Sequence, residues 1–154
     1  MNEKVNYDDD RYIEFNLGIE RFSIPLLMVK EVIPMPDMTK VPNSPSYYVG
    51  IMNLRGQIIS VVDLRTKMNI KASEVEQEIA VIIVEIDGIG IGLIVDSVNK
   101  VLKVGNSDIV DVPKISNQIN AKFVSGVFKI NEDLVVLLDV HSLLDITEIK
   151  KIAA

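Results

Sequence analysis

A chain of 154 residues with a net charge of −6, 48% apolar and 25% charged residues and no tryptophan has the composition of a packed globule, long enough for one compact unit or two small barrels sharing a core. No basic stripe is present to neutralise phosphates, which argues against nucleic acid as a partner, and no apolar run is long enough to cross a bilayer. The absence of cysteine excludes disulfides and thiolate catalysis and fits a reducing cytoplasm.

Residues 1–11 form an acidic stretch containing Asp8, Asp9 and Asp10, expected to be a flexible tail and unlike a signal peptide because it lacks an apolar core. Ile13, Phe15 and Leu17 then alternate with Glu14 and Asn16, the period of a half-buried strand. A turn at Gly18 leads to Phe22 and Ile24, and Pro25 limits how far that second strand can pair. Leu26 to Ile33 fits either a helical stripe or a strand; its β-branched residues favour a turn followed by a strand. The prolines at 34, 36, 42 and 45 impose an irregular or extended segment, followed by an expected short helical turn near Ser46 to Val49. A β-hairpin comes next. Its strands run from Ile51 to Leu54 and from Ile58 to Leu64, with Arg55-Gly56-Gln57 at the tip, where glycine can supply a positive φ.

Thr66 to Glu78 reads as a short helix and a connecting loop. Ala80 to Ile86 restarts β structure, Asp87-Gly88 signals a hairpin turn, and Ile89 to Val95 returns as a strand that Val98 to Val104 is expected to continue. A polar loop at 106–120 precedes a further hairpin from Val124 to Val140. Leu143, Ile146, Ile149 and Ile152 lie at helical spacing, with Lys150 and Lys151 near the last turn, as a C-terminal helix favours.

The chain repeats itself. Gly50 to Met68 aligns without a gap on Gly126 to Leu144, so that Gly50 meets Gly126 and Asp63 meets Asp139. Upstream, Phe15, Leu17, Phe22, Ile24, Val29 and Val32 fall on Val84, Ile86, Ile91, Leu93, Val98 and Val101. Two copies of a roughly five-stranded unit, each too small to bury its sheet alone, imply two curled sheets packed along a shared seam. The expected units are 12–78 and 79–154, the second carrying the C-terminal helix. The copies diverge at the hairpin tip, where Arg55-Gly56 becomes Asn131-Glu132, and at Glu31, which becomes Lys100.

Few residues suggest catalysis. Gly88, Gly90 and Gly92 lack the spacing and following helix of a dinucleotide loop. Asp63 and Asp139 are a conceivable carboxylate pair, yet each follows an apolar strand and is placed to cap what comes next. His141 is the single histidine, too few ligands for zinc, and no Gly-x-Ser-x-Gly motif occurs. No cofactor or metal is expected.

The segment Gly50 to Gly56, with Ile58, Ile59 and the run Val61 to Arg65, resembles the CheW family of chemotaxis coupling proteins. Val29 to Ile33, Gly92 to Val98 and Gly126-Val127 support the resemblance, which extends from about Tyr12 to Leu144. It implies a mainly β fold of two intertwined five-stranded SH3-like barrels with short helices, acting as a non-catalytic adaptor that joins the cytoplasmic hairpin of chemoreceptors to the regulatory domain of the histidine kinase CheA. By the same resemblance the protein-binding positions are Val29, Glu31, Gly50 and Arg55, with Val98 and Val101 in the second barrel. The protein is then expected to be cytoplasmic, monomeric alone, and recruited to membrane-associated arrays only through receptors. An apolar groove along the seam is the expected seat of the receptor, with Arg55 orienting it and Glu31 either touching the partner or pairing with Arg55. Val49, where some relatives carry a charge, and Ser60, where proline is common, depart from the family pattern. The competing reading is a metabolite-binding sensor or small enzyme on the same barrels, which requires a closed pocket with converging polar groups.

Overall fold

The structure, a computed structural model, describes residues 10–71, 78–105, 108–110 and 121–153. Most of the acidic tail and of the expected polar loop lies outside the described residues. Among the described residues eleven strands form: β1 (Arg11–Leu17), β2 (Glu20–Pro25), β3 (Val29–Pro34), β4 (Tyr48–Leu54), β5 (Gln57–Asp63), β6 (Ala80–Ile86), β7 (Ile89–Val95), β8 (Ser97–Lys103), β9 (Ile109–Val110), β10 (Val124–Ile130) and β11 (Asp133–Leu138). Short helices follow the two hairpins, α1 (Leu64–Met68) and α2 (Val140–Leu143), and α3 (Ile146–Ala153) ends the described chain.

Two sheets result, one ordered β3-β6-β7-β5-β4 and the other β8-β1-β2-β11-β10-β9. Each draws strands from both sequence copies, so the repeat boundary near residue 79 divides the copies and not the sheets. The two arrangements are equivalent. Parallel pairing of Ser60 with Ile91 in one sheet is matched by Val136 with Phe22 in the other, and the bulge at Lys30 between β3 and β6 is matched by one at Asn99 between β8 and β1. A further bulge precedes Gly50 and recurs before Gly126. Such bulges bend and twist a ladder, and they sit where both sheets must curl.

Three apolar cores explain why the copies exchange strands. Met52, Ile59, Val61, Val81, Ile83 and Ile94 fill the inside of one sheet, and Leu102, Val104, Phe128, Val135 and Leu137 that of the other. The opposite faces of both sheets meet in a larger seam containing Phe15, Phe22, Ile24, Val62, Leu93, Val136 and Leu138. The alternating side chains of β5, β6 and β7 thus bury two faces at once, as their nearly continuous apolar runs require. The interior of the seam is filled by the fold's own side chains, with Val29 and Val98 partly buried at its margin.

The structure departs from local sequence pattern in four further places. Residues near Ser46 form a turn without a helix, because Tyr48 already pairs with Val62 as the start of β4. Val98 to Val104 does not extend β7: the chain bends at Asp96 and β8 enters the opposite sheet. A two-residue strand, β9, pairs with Val127 and Phe128, giving that sheet six strands; an isolated bridge between Thr39 and Ile51 covers the equivalent edge of the other. The expected C-terminal helix is broken at Leu144, which is extended and buried, and Asp145 restarts it by accepting from the Glu148 amide at 3.1 Å. Asp63 and Asp139 both act as caps, accepting from the backbone N–H of Arg65 at 3.0 Å and of Ser142 at 3.3 Å.

Ser60, set among apolar neighbours, is 5% exposed, and its hydroxyl lies 2.7 Å from that of Tyr48. Each hydroxyl therefore answers the other. Tyr48→Phe is expected to destabilise by about 1 to 3 kcal/mol, because it strands a buried hydroxyl, whereas adding Ser60→Ala should recover part of that loss. Urea unfolding of the single and double variants measures the difference.

Candidate functional site

The β4–β5 turn consists of Arg55 at φ 52° and Gly56 at φ 88°, the two left-handed residues of a tight hairpin turn. Asn53 steadies it by accepting from the Gly56 amide at 2.9 Å. At the first position of the equivalent turns stand Asp87 (φ 52°) and Asn131 (φ 56°), residue types that tolerate this backbone. Arginine does not share that tolerance. Its presence is an argument that the guanidinium itself is used.

That guanidinium makes a paired contact with Glu31 on β3, its two terminal nitrogens lying 2.5 and 3.0 Å from the carboxylate oxygens. Since β3 and β4 are opposite edges of one sheet, the pair spans the gap left by the curl. Hydrogen bonding to Arg55 holds the Glu31 carboxyl below its ordinary range, and Glu31 in turn raises the guanidinium. The side chains remain 31% (Glu31) and 71% (Arg55) exposed, so the fork is available to another molecule. Val32 and Ile58, both exposed, lie on the same two elements.

The six expected binding residues divide into two groups. Val29, Glu31, Gly50 and Arg55 belong to the five-stranded sheet; Val98 and Val101 lie on β8, the edge of the six-stranded sheet. Val29 and Val98 are equivalent in the repeat, and both pack partly buried against the seam. Val101 is exposed. Gly50 is buried beneath the proline-rich strap, where a Cβ would come within 2.5 Å of the Thr39 carbonyl oxygen. Lys100, which stands where the first copy has Glu31, is exposed and opposite Glu14.

Two clusters escaped sequence reasoning. The Tyr47 hydroxyl donates to the Glu148 carboxylate of α3, and the Lys67 ammonium sits 4.2 Å from the centre of the Tyr47 ring. Burial, reinforced by Glu148, pushes the phenol above its ordinary pKa. Asp96, 4% exposed, accepts from the Gly18 amide at 2.6 Å and pairs with Arg65 at 3.3 Å. In both clusters the partners are distant in sequence, and no local spacing announces them. Among the described residues no group of three or more histidine, cysteine, aspartate or glutamate side chains is arranged to hold a metal, and no helix is long and apolar enough to span a membrane.

Comparison with known proteins gives a consistent result. A family profile described as a CheW-like domain matches residues 11–148. The chain is 28% identical over 153 residues to the chemotaxis protein CheW of Treponema pallidum, covering 97% of this chain and 90% of that protein. It is 27% identical over 146 residues to a probable chemotaxis protein CheW of Rhizobium etli, covering 95% and 94%. The crystal structure of the scaffolding protein TtCheW from Thermoanaerobacter tengcongensis superposes with a TM-score of 0.80 at 30% identity, covering 94% of both chains.

Proposed function

The chain belongs to the CheW-like domain family and is a chemotaxis adaptor, and on that premise we propose that it couples the cytoplasmic hairpin of chemoreceptors to the regulatory domain of the kinase CheA. It acts as a scaffold without chemistry of its own, in the cytoplasm, as a monomer brought to receptor arrays by its partners. The copies 12–78 and 79–154 serve together as one binding unit. The observation that carries this reading is the exposed Arg55–Glu31 fork at the rim of the five-stranded sheet. A planar guanidinium fixed by a carboxylate offers its remaining N–H donors in a defined direction, which lysine cannot reproduce. Val29 and Val32 lend apolar area beside it, and Val98 and Val101 provide a second contact on the other sheet. Gly50 contributes indirectly, by allowing the strap to lie flat against β4.

Co-elution with the purified CheA regulatory domain and with a receptor cytoplasmic fragment tests the proposal; binding to neither removes it. Arg55→His is expected to weaken capture of one partner about tenfold, the scale of a residue central to an interface, with an unchanged melting temperature because exposed ion pairs contribute little to stability. Intact capture by the folded variant sinks the role given to Arg55. The depressed pKa of Glu31 fixes the sign of the pH dependence: the pair's support is present above the pKa of an unfolded glutamate and is lost as pH falls through the lower, folded value. A carboxyl titration followed by NMR should show Glu31 returning to the ordinary range in Arg55→Ala.

A further inference from the structure

We infer that Asp96 and Arg65 form a joint that fixes the rotation of one sheet against the other. The apolar seam supplies most of the attraction between the sheets, but that attraction is non-directional. Direction comes from polar contacts at the point where the chain passes from β7 to β8. There Asp96 sits 4% exposed and reaches three ways. Its backbone N–H donates to the Asn16 carbonyl at 3.0 Å, and one carboxylate oxygen accepts from the Gly18 amide at 2.6 Å, both at the β1–β2 end of the six-stranded sheet. The other oxygen faces the Arg65 guanidinium at 3.3 Å, on α1 directly after β5 of the five-stranded sheet. A single carboxylate thus holds one element of each sheet. The β1–β2 turn also lies close under the segment after α1, since a Cβ on Gly18 would meet the Lys71 carbonyl oxygen at 2.6 Å. No slack remains there for a compensating shift.

The repeat shows that this joint is one-sided. The crossing in the first copy, from β2 to β3, carries Leu27 at the position of Asp96, and Leu27 is 58% exposed. The apolar seam is shared by both copies; the buried ion is present in only one. A buried charge is a costly way to gain stability, and its better-attested use is to select one arrangement among several that an apolar surface would accept. As a positioning group, Asp96 then sets the angle at which the β3 rim and the β8 edge are displayed. That last consequence rests on the proposed adaptor role, whereas the joint itself does not.

The test needs no partner. Ile58 and Leu134 occupy equivalent places on the two hairpins and are 58% and 55% exposed, and the chain has no native cysteine, so Ile58→Cys with Leu134→Cys accepts two spin labels. Their separation, read by pulsed electron resonance, should form one narrow distribution in the otherwise unchanged protein. Asp96→Asn is expected to broaden it about twofold or to split it into two populations. Should Asp96→Asn fail to fold, Arg65→Met, which leaves the Gly18 contact in place, is read in the same way. A folded variant with lowered stability and an unchanged distribution overturns the inference, since the pair would then be a mere tie. If the distribution broadens while partner capture is absent even in the parent protein, the joint stands and the adaptor reading fails.

Discussion

Phe15→Ala is expected to lower the free energy of unfolding by about 3 to 5 kcal/mol, the usual cost of deleting a buried aromatic ring. Phe15 is fully buried in the seam and stacks on Phe22 with ring centres 6.3 Å apart. The informative part of the result is what unfolds with it. Because β1 and β2 are hydrogen-bonded on one side to β8 and on the other to β11, neither sheet can be lost without breaking strands of both copies. Chemical denaturation should therefore remain a single transition, and hydrogen exchange should accelerate in β5 and β7 as much as in β1 and β2. Phe128→Ala, which opens the interior core of the six-stranded sheet, should shift that same transition. Loss of one sheet with the other intact would refute the view that the copies are mutually dependent.

That dependence also explains which features could be read from the sequence. Strand patterns, hairpin turns and capping aspartates are local properties, and β6 and β7 run over the residues that alternation and the Asp87-Gly88 turn indicate. The duplication was legible for the same reason, since equal burial demands equal residues: the bulges before Gly50 and Gly126 fall on aligned positions. Pairing between copies is a different matter. An alignment that equates β8 with β3 is satisfied whether β8 folds back on β7 or crosses to β1, and only the area buried in the seam separates the two. The local pattern of Val98 to Val104 is accordingly that of a continuation of β7, whereas the bend at Asp96 sends it to the other sheet. At the candidate site, the hairpin tip stood out because Arg55 does not recur in the second copy. Whether Glu31 faced Arg55 or a partner depended on the curl of the sheet, which no spacing along the chain encodes. Tyr47 and Glu148, joined across most of the chain, gave no signal at all.

Gly50 poses the sharpest separation between fold and function. The strap that carries Thr39 exchanges two backbone hydrogen bonds with Ile51, both 2.9 Å, and any Cβ at position 50 would lie 2.5 Å from the Thr39 oxygen and 3.0 Å from its carbonyl carbon. Backbone cannot rotate aside as a side-chain tip would. Either β4 or the strap must shift, so Gly50→Ala is expected to cost about 1 to 3 kcal/mol. Gly50→Asp adds a carboxylate to a buried position already crowded by the Thr39 backbone, and should cost about 4 kcal/mol or more, enough to unfold a marginal domain. Partner capture by Gly50→Asp would then fall because the hairpin is displaced, and Arg55 with it. Two measurements distinguish this from a direct contact at Gly50. Thermal unfolding of Gly50→Ala should drop while capture at a temperature where the variant is fully folded stays near that of the parent. A fully stable Gly50→Ala with lost capture would instead place Gly50 against the partner and contradict its burial beneath Thr39.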